Sequence, residues 1–449
     1  MRCPALACCL VQVVLGLAAH VALQEACSAN EFCLIDDDQL AVALRAELIR
    51  SAQCEISVAY YAIDSGEVPL GLLALLREAA QRGVVVRVLV DGLQSRLPSG
   101  LELMLVRGGI QIRKYHPPHK GHPAWLNRRM HTKLLGVDRQ AMIIGSRNLQ
   151  DHHFGRECTN YVDSDVYLSG EICVNAAAYF EWLWHEKGVY PARRSNPFGL
   201  DLVQNLKLDV SPISLRCCQR EAEYQRALAC GLASINRIVC HSYDSRFEET
   251  PCLSGVNACL LHDGFAPKTQ RSLQECIVNL LDHARVSIHL ETAYPVFSRP
   301  VFAAFRRAAC RGVTISMLTN SLESADYVST YAAYQNQKAE LLRMGVKLYE
   351  ICGRDHLHVK TMIIDRQLTM VGSYNFDVRS DRLNLELNVV LQDPRVAQLV
   401  MQASQKRICR SQRISSQACC PEVGGEPPLL KQVRMRASQA VVPLYRRSL

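Results

Sequence analysis

Residues 356–375 read HLHVKTMIIDRQLTMVGSYN, and residues 129–148 read RMHTKLLGVDRQAMIIGSRN. The two stretches align without a gap, setting His358 on His131, Lys360 on Lys133, Asp365 on Asp138, Ser373 on Ser146 and Asn375 on Asn148. In an extended chain, His-x-Lys puts both side chains on one face, pointing at one spot. The apolar runs around each aspartate, LeuLeuGlyVal with AlaMetIleIle and ThrMetIleIle with LeuThrMetVal, read as buried strands of a sheet core. A single copy would carry little weight. Two copies, each trailed by Gly-Ser-x-Asn, mark a duplicated unit.

The chain upstream of each copy repeats as well. Residues 40–52 read as a helix, Glu55 to Tyr60 as a strand, and Leu70 to Arg82 as an amphipathic helix closed by Gly83, with a Val-rich strand up to Asp91. In the second half, Leu273 to His283 reads as a helix and Val286 to Leu290 as a strand. Val301 to Arg311 follows as a helix closed by Gly312, and Val313 to Thr319 as a strand. ArgGluAlaAlaGlnArgGly (77–83) and ArgArgAlaAlaCysArgGly (306–312) stand nearly in register. Strands alternating with helices give an α/β class: two similar lobes of mixed sheet covered by helices. The expected boundaries are 35–185 and 271–405 for the lobes, 186–270 for the segment joining them, and 406–449 for a basic tail.

At 449 residues the chain is long enough for two substantial cores. Hydrophobic residues at 49% and charged residues at 21% exclude a disordered chain. The net charge of +8 suits an anionic partner, a phospholipid surface or a nucleic acid. Residues 4–19 form an apolar run behind Arg2, so residues 1–26 read as a signal peptide or an uncleaved anchor, placing the protein at a membrane or outside the cytosol.

The pattern His-x-Lys, four residues, Asp, then Gly-Ser-x-Asn is similar to that of the phospholipase D superfamily, and both copies match it without a departure. LeuAsnArgArgMetHisThrLys (126–133) and AsnPheAspValArgSerAspArgLeuAsnLeuGlu (375–386) resemble the bacterial cardiolipin synthase branch, in particular its third type. The resemblance spans roughly residues 35–405. It implies two lobes meeting along a pseudo-two-fold axis with both motifs at the seam; the residues themselves show only the repeat.

Cleaving a phosphodiester in two displacements needs a nucleophile on one side of phosphorus and a proton donor on the leaving oxygen. Two histidines can divide these tasks when one is neutral and the other protonated. Two lysines can neutralise the non-bridging oxygens, and two asparagines can donate hydrogen bonds to them. The resemblance implies that His131 is the nucleophile forming a phosphohistidine and that His358 is the acid of the first step and the base of the second. Lys133, Lys360, Asn148 and Asn375 would hold the phosphate, with Ser146 and Ser373 beside them. No metal or other cofactor is needed, since the lysines supply the charge. Asp138 and Asp365 complete the motif and stand in the catalytic set, though tying a strand end to a neighbouring turn is their preferred role.

Each imidazole also needs an acceptor on its far nitrogen. Glu386 follows the second motif at the family's usual distance, and Asp163 holds the matching place in the first half, with Asp165 as a close rival. His356 lies on the strand face of His358 and is a candidate pocket wall. His116, His119 and His122, with their intervening prolines, match no common metal-ligand spacing and read as a basic loop meeting phosphate headgroups, with Trp125 at a membrane interface. Cys217, Cys218, Cys230, Cys240, Cys252 and Cys259 crowd the joining segment without a Cys-x-x-Cys pair, so zinc is disfavoured. Twenty cysteines are heavy usage: disulfides if the chain is exported, buried thiols if cytosolic. The basic tail from Lys406 could lean on anionic lipid or be a solvated end.

Three functions remain open at this point: a phosphatidyl transferase joining phospholipids in the manner of a cardiolipin synthase, a hydrolytic phospholipase D releasing phosphatidic acid, and a nuclease of the same superfamily. The first two share every catalytic residue. Small nucleases of the superfamily carry one motif per chain and dimerise, whereas this chain carries two and is expected to work as a monomer.

Overall fold

The computed structural model describes residues 27–118, 127–192, 211–243, 250–263 and 273–415, with 431, 435 and 438. The N-terminal apolar run, His119, His122 and Trp125, and nearly all of the chain beyond residue 415 lie outside the described residues. The first half contains strands β1 (Cys27–Ile35), β2 (Glu55–Tyr60), β3 (Val85–Asp91), β4 (Gln111–Tyr115), β5 (Arg129–Met130), β6 (Lys133–Val137), β7 (Ala141–Gly145), β8 (Tyr161–Val162), β9 (Asp165–Ser169) and β10 (Val189–Pro191). Its helices are α1 (Asp38–Ser51), α2 (Glu67–Gln81), α3 (Ser99–Arg107) and α4 (Ile172–Trp184). The joining segment contributes α5 (Ser211–Tyr243) and β11 (Cys252–His262). In the second half, helices α6 (Leu273–His283), α7 (Arg299–Cys310), α8 (Val328–Arg343), α9 (Val378–Arg382) and α10 (Pro394–Ile408) accompany nine strands. These are β12 (Ser287–Glu291), β13 (Thr314–Asn320), β14 (Lys347–Ile351), β15 (His356–Leu357), β16 (Thr361–Ile364), β17 (Leu368–Gly372), β18 (Asn384–Leu385), β19 (Leu387–Gln392) and β20 (Ser411–Ile414).

The α/β class with a two-lobe repeat holds, but the lobes do not have separate sheets. One sixteen-stranded sheet runs β10-β4-β3-β2-β6-β7-β9-β1-β11-β19-β17-β16-β12-β13-β14-β20. Read from either end, equivalent strands arrive in the same order. β2, β3 and β4 are parallel, as are β12, β13 and β14, while β6, β7 and β9 and their counterparts run antiparallel. The mirror point is the antiparallel pair β1 and β11, as a two-fold axis between them requires. The joining segment is therefore not a spacer: β11 is a central strand, and β10 extends the first edge by pairing with β4.

Local chemistry explains the elements. Asp37 caps α1, its Oδ1 accepting from the Gln39 and Leu40 N–H groups at 2.9 Å each. Gly83 and Gly312 end their helices at φ of +97° and +84°, a conformation that costs glycine little. Both motif hairpins turn on Asp-Arg: Asp138 and Arg139 have φ of 52° and 55°, and Asp365 and Arg366 have 54° and 56°, in three-residue loops closed by the Gln140 N–H on the Val137 carbonyl and the Gln367 N–H on the Ile364 carbonyl.

Each outer sheet face is buried under its own helices. Leu72, Leu76, Val86 and Val88 pack with Leu228 and Ile235 of α5 in the first half, and Phe305, Met317 and Leu341 share the core of the second. The opposite face is common to both halves: Leu134, Ile144 and Val166 join Ile363, Val389 and Leu391 beneath α4 and α10. The expected boundary at 405/406 is corrected. α10 runs to Ile408, and β20 adds to the sheet edge beside β14. Arg407 is buried against Glu291 (2.8 Å) and Asp36 (2.5 Å), so it belongs to the core and not to a solvated tail.

Candidate active site

Two short strand pairs outside the main sheet stitch the halves together. β5 runs parallel to β18, with Met130 opposite Leu385, and β8 runs parallel to β15, with Val162 opposite Leu357. The residue after β5 and the residue after β15 are the two motif histidines. His131 N–H donates to the Leu385 carbonyl at 2.9 Å, and His358 N–H donates to the Val162 carbonyl at 2.8 Å. Each histidine is thereby set beside the carboxylate that follows its partner strand in the other half. His131 Nδ1 lies 2.9 and 3.1 Å from the Glu386 carboxylate oxygens, and His358 Nδ1 lies 2.7 Å from Asp163 Oδ1. Both pairings cross the seam. In both rings Nδ1 is engaged, which leaves Nε2 as the outward nitrogen.

All four of these groups are buried, and so are both lysines. Lys133 and Lys360 donate to the carbonyl of their own motif histidine at 2.7 and 2.5 Å. Burial pulls the Lys360 ammonium down to about 8 and puts Lys133 well below its usual range, where the Lys360 charge lowers it further. Burial likewise lowers His131 to about 4, against the pull of Glu386, and His358 well below its ordinary value. Glu386 and Asp163 are held below the usual carboxylate range as well: burial raises them, but His131, with Lys133 and the Ser373 hydroxyl, together outweigh it for Glu386, and His153 with His358 for Asp163, so both stay ionised. The result is two neutral imidazoles, each leaning on a carboxylate.

The structure corrects two expectations. Ser146 and Ser373 spend their hydroxyls on those carboxylates, Ser146 on Asp163 at 2.6 Å and Ser373 on Glu386 at 2.5 Å, and so do not face a phosphate. Asp165 is no rival to Asp163: it meets Arg45 at 2.7 Å and Arg147 at 3.2 Å and caps the Ser146 and Arg147 N–H groups. Asp138 and Asp365 tie the hairpin turns to the start of a neighbouring strand, the role preferred for them from the sequence over a place in the catalytic set. Asp138 accepts from the Gln53, Cys54 and Glu55 N–H groups at 2.8 Å, and Asp365 from Arg285, Val286 and Ser287 at 2.7 to 3.2 Å. Asn148 and Asn375 are buried beside the serines, each with an amide Oδ1 that has no hydrogen-bond partner.

Several site residues escaped the sequence reading. His153 Nδ1 bonds the second oxygen of Asp163 at 2.6 Å, and its Nε2 lies 3.3 Å from Asn148 Nδ2. Ser380 and Asn384 donate to Glu386 at 2.7 and 3.1 Å. Tyr61 sets its ring 4.7 Å from His131 and 5.2 Å from the Lys133 ammonium. Among the described residues, His153, Asp163 and His358 are the one group with three metal-capable atoms close together, and both of its imidazoles are hydrogen-bonded to the carboxylate between them. His116 is buried and stacked on Tyr115, away from any role read for it as a basic loop residue.

Known proteins resemble this chain. Cardiolipin synthase C of Escherichia coli (strain K12) is 30% identical over 402 residues, covering 83% of this chain and 82% of that protein. Cardiolipin synthase A of Pseudomonas fluorescens (strain SBW25) is 25% identical over 425 residues, covering 92% and 75%. The crystal structure of phosphatidylserine synthase from Haemophilus influenzae Rd KW20 superposes with a TM-score of 0.67 at 13% identity over 93% of this chain and 95% of that one, a likeness of fold. Residues 46–184 and 277–407, more than half of the chain, match the family model for cardiolipin synthase, phospholipase D-like domain, and the chain belongs to that family.

Proposed function

We propose that this phospholipase D superfamily enzyme is a cardiolipin-synthase-like phosphatidyltransferase that moves a phosphatidyl group from one phospholipid to the alcohol of another through a phosphohistidine. The observation that carries the reading is the crossed pairing of His131 with Glu386 and His358 with Asp163 at one seam. With Nδ1–H held by Glu386, the Nε2 lone pair of His131 attacks phosphorus. The bond from phosphorus to the leaving oxygen breaks as His358 gives that oxygen a proton. The acceptor alcohol then loses its proton to His358, forms the new phosphorus–oxygen bond and expels His131. Lys133, Lys360, Asn148 and Asn375 hold the non-bridging oxygens.

His358 is neutral by burial, so it must gain its proton as the substrate binds; a phosphodiester anion beside the ring raises its affinity for one. That divides the labour: only the ring nearest the leaving oxygen is charged. Both halves of the site lie on one chain, which supports a monomer acting on phospholipids at an anionic membrane surface. Among the described residues no helix is long and apolar enough to cross a membrane, so the N-terminal apolar run is the candidate anchor or export signal. A disulfide between Cys33 and Cys252 supports an oxidising compartment.

Purified protein incubated with phosphatidylglycerol, with and without phosphatidylethanolamine, tests the reading by its lipid products. Cardiolipin is the expected product. Phosphatidic acid alone would replace transfer by hydrolysis, and DNA cleavage without lipid turnover would replace both. His131→Ala should abolish turnover, and His358→Ala should trap a phosphorylated histidine. An adduct on His358 in the His131 variant would reverse the two roles.

A further inference from the structure

The two halves differ beside His358, where a carboxylate lies within the electrostatic reach of Lys360 and Lys431 but makes no ion pair with either. Asp326, in the loop between β13 and α8, accepts hydrogen bonds from Tyr161 at 2.9 Å, from Tyr294 at 2.7 and 2.8 Å, and from the Tyr327 N–H at 2.7 Å. Tyr161 comes from the first half and the others from the second, so this cluster, like the catalytic pairs, exists only where the halves meet. Among the described residues no lysine or arginine pairs with Asp326; the one group within ion-pair range is His356, at 3.6 Å. The Tyr161 ring is 5.1 Å from His358 and the His356 ring 6.0 Å, while Tyr327 is 61% exposed. The cluster therefore reaches from the proton-transferring imidazole to the surface.

His356 makes the arrangement informative. Its Nδ1 lies 3.0 Å from the Ser324 carbonyl, which requires the proton on Nδ1 and leaves Nε2 a bare acceptor. That Nε2 is buried and has no hydrogen-bond partner, and it faces a carboxylate oxygen that is also an acceptor. Two acceptors 3.6 Å apart repel each other, and a donor placed against both would satisfy them. On the His131 side the wall is basic instead: Arg129 pairs with Asp91 at 3.0 Å, and Arg379 reaches the Asn127 carbonyl.

We propose that Asp326 and His356, framed by Tyr161 and Tyr294, form the subsite for the alcohol that leaves or attacks phosphorus, and that it selects alcohols carrying a second hydrogen-bond donor. This rests on the phosphatidyl-transfer reading, in which His358 protonates the leaving oxygen, so the leaving alcohol lies on the His358 side. A donor a few atoms further along that alcohol meets the two acceptors: a hydroxyl of a glycerol headgroup or the ammonium of an ethanolamine headgroup.

The test compares kcat/KM of the full-length protein on vesicles of phosphatidylglycerol, of phosphatidylethanolamine and of phosphatidylethanol, whose headgroup has no second donor, each with the same excess of free glycerol as the acceptor alcohol and with release of the isotope-labelled headgroup as the readout. Wild type is expected to prefer the first two, and Asp326→Asn to lower that preference at least ~10-fold, since a site built to receive a donor discriminates strongly against its absence. His356→Phe, which keeps a ring and removes the facing acceptor, should lower it in the same direction. Loss of preference for one donor headgroup alone identifies that headgroup as the ligand. A preference that survives both substitutions, including one where all three rates fall together, overturns the subsite while leaving phosphatidyl transfer intact. A wild type that turns over none of the three lipids removes the phosphatidyl-transfer reading and the subsite with it.

Discussion

His153 and Ser380 stand five residues after Asn148 and Asn375, and each bonds the carboxylate of its own half. They are the same position of the repeat filled by different chemistry, which is why neither was legible: a histidine in one copy and a serine in the other show no recurrence along the chain. The motif residues were legible because both copies keep them. Which histidine meets which carboxylate was not, because that depends on strands crossing between halves. The buried lysines lead to a pH prediction at this scale. Lys360 carries its charge below about 8 and loses it above, since burial has lowered it from 10.5. With that ammonium receiving the phosphodiester as proposed, kcat/KM should be level near pH 7 and fall by roughly tenfold per unit above pH 8. A profile that stays level to pH 10 at constant ionic strength would remove Lys360 from phosphate binding.

At the scale of elements, periodicity did well where apolar positions recur. The reading of Glu55 to Tyr60 as a strand and of Leu273 to His283 as a helix coincides with β2 and α6. It could not find β5, β8, β15 and β18, two residues each, which exist only through pairing with a distant partner. It also passed over β11, whose cysteines drew attention to metal and disulfide chemistry and away from an alternating strand. α5 was missed in the same segment. This helix lies against α2 with two glycines face to face: a Cβ on Gly231 would stand 2.5 Å from the Gly71 nitrogen and 2.8 Å from the Glu67 carbonyl. Backbone cannot move aside as a flexible side chain can. Gly231→Ala should therefore force the helices apart and cost about 1–3 kcal/mol, read as a lowered urea midpoint with unchanged m-value. Gly255→Ala, with open space around its Cβ but φ of +70°, makes a useful contrast, since its cost is conformational strain without a clash. Equal stability of Gly231→Ala and wild type would mean that α5 packs more loosely than its closest contact implies.

For the whole molecule, duplication alone left open how the halves join, and the answer is edge to edge, through β1 and β11. The first of these strands precedes one half and the second precedes the other, so the central ladder closes only after most of the chain has been made. Contacts this remote in sequence are slow to form. Cys33 on β1 faces Cys252 at the start of β11, and the two are joined by a disulfide spanning 219 residues of sequence. The cross-link restrains the unfolded chain over a long loop, where the entropic gain is largest in the chain-entropy account. Replacing both cysteines by serine should lower stability by about 2–4 kcal/mol, and reductant should destabilise wild type but not the double variant. Activity under native conditions should persist in that variant, because the catalytic pairs are held by β5 with β18 and β8 with β15 and not by the disulfide. Urea unfolding of both proteins, with and without reductant, reads this directly. Identical midpoints in all four arms would mean that the β1–β11 ladder holds the halves together unaided.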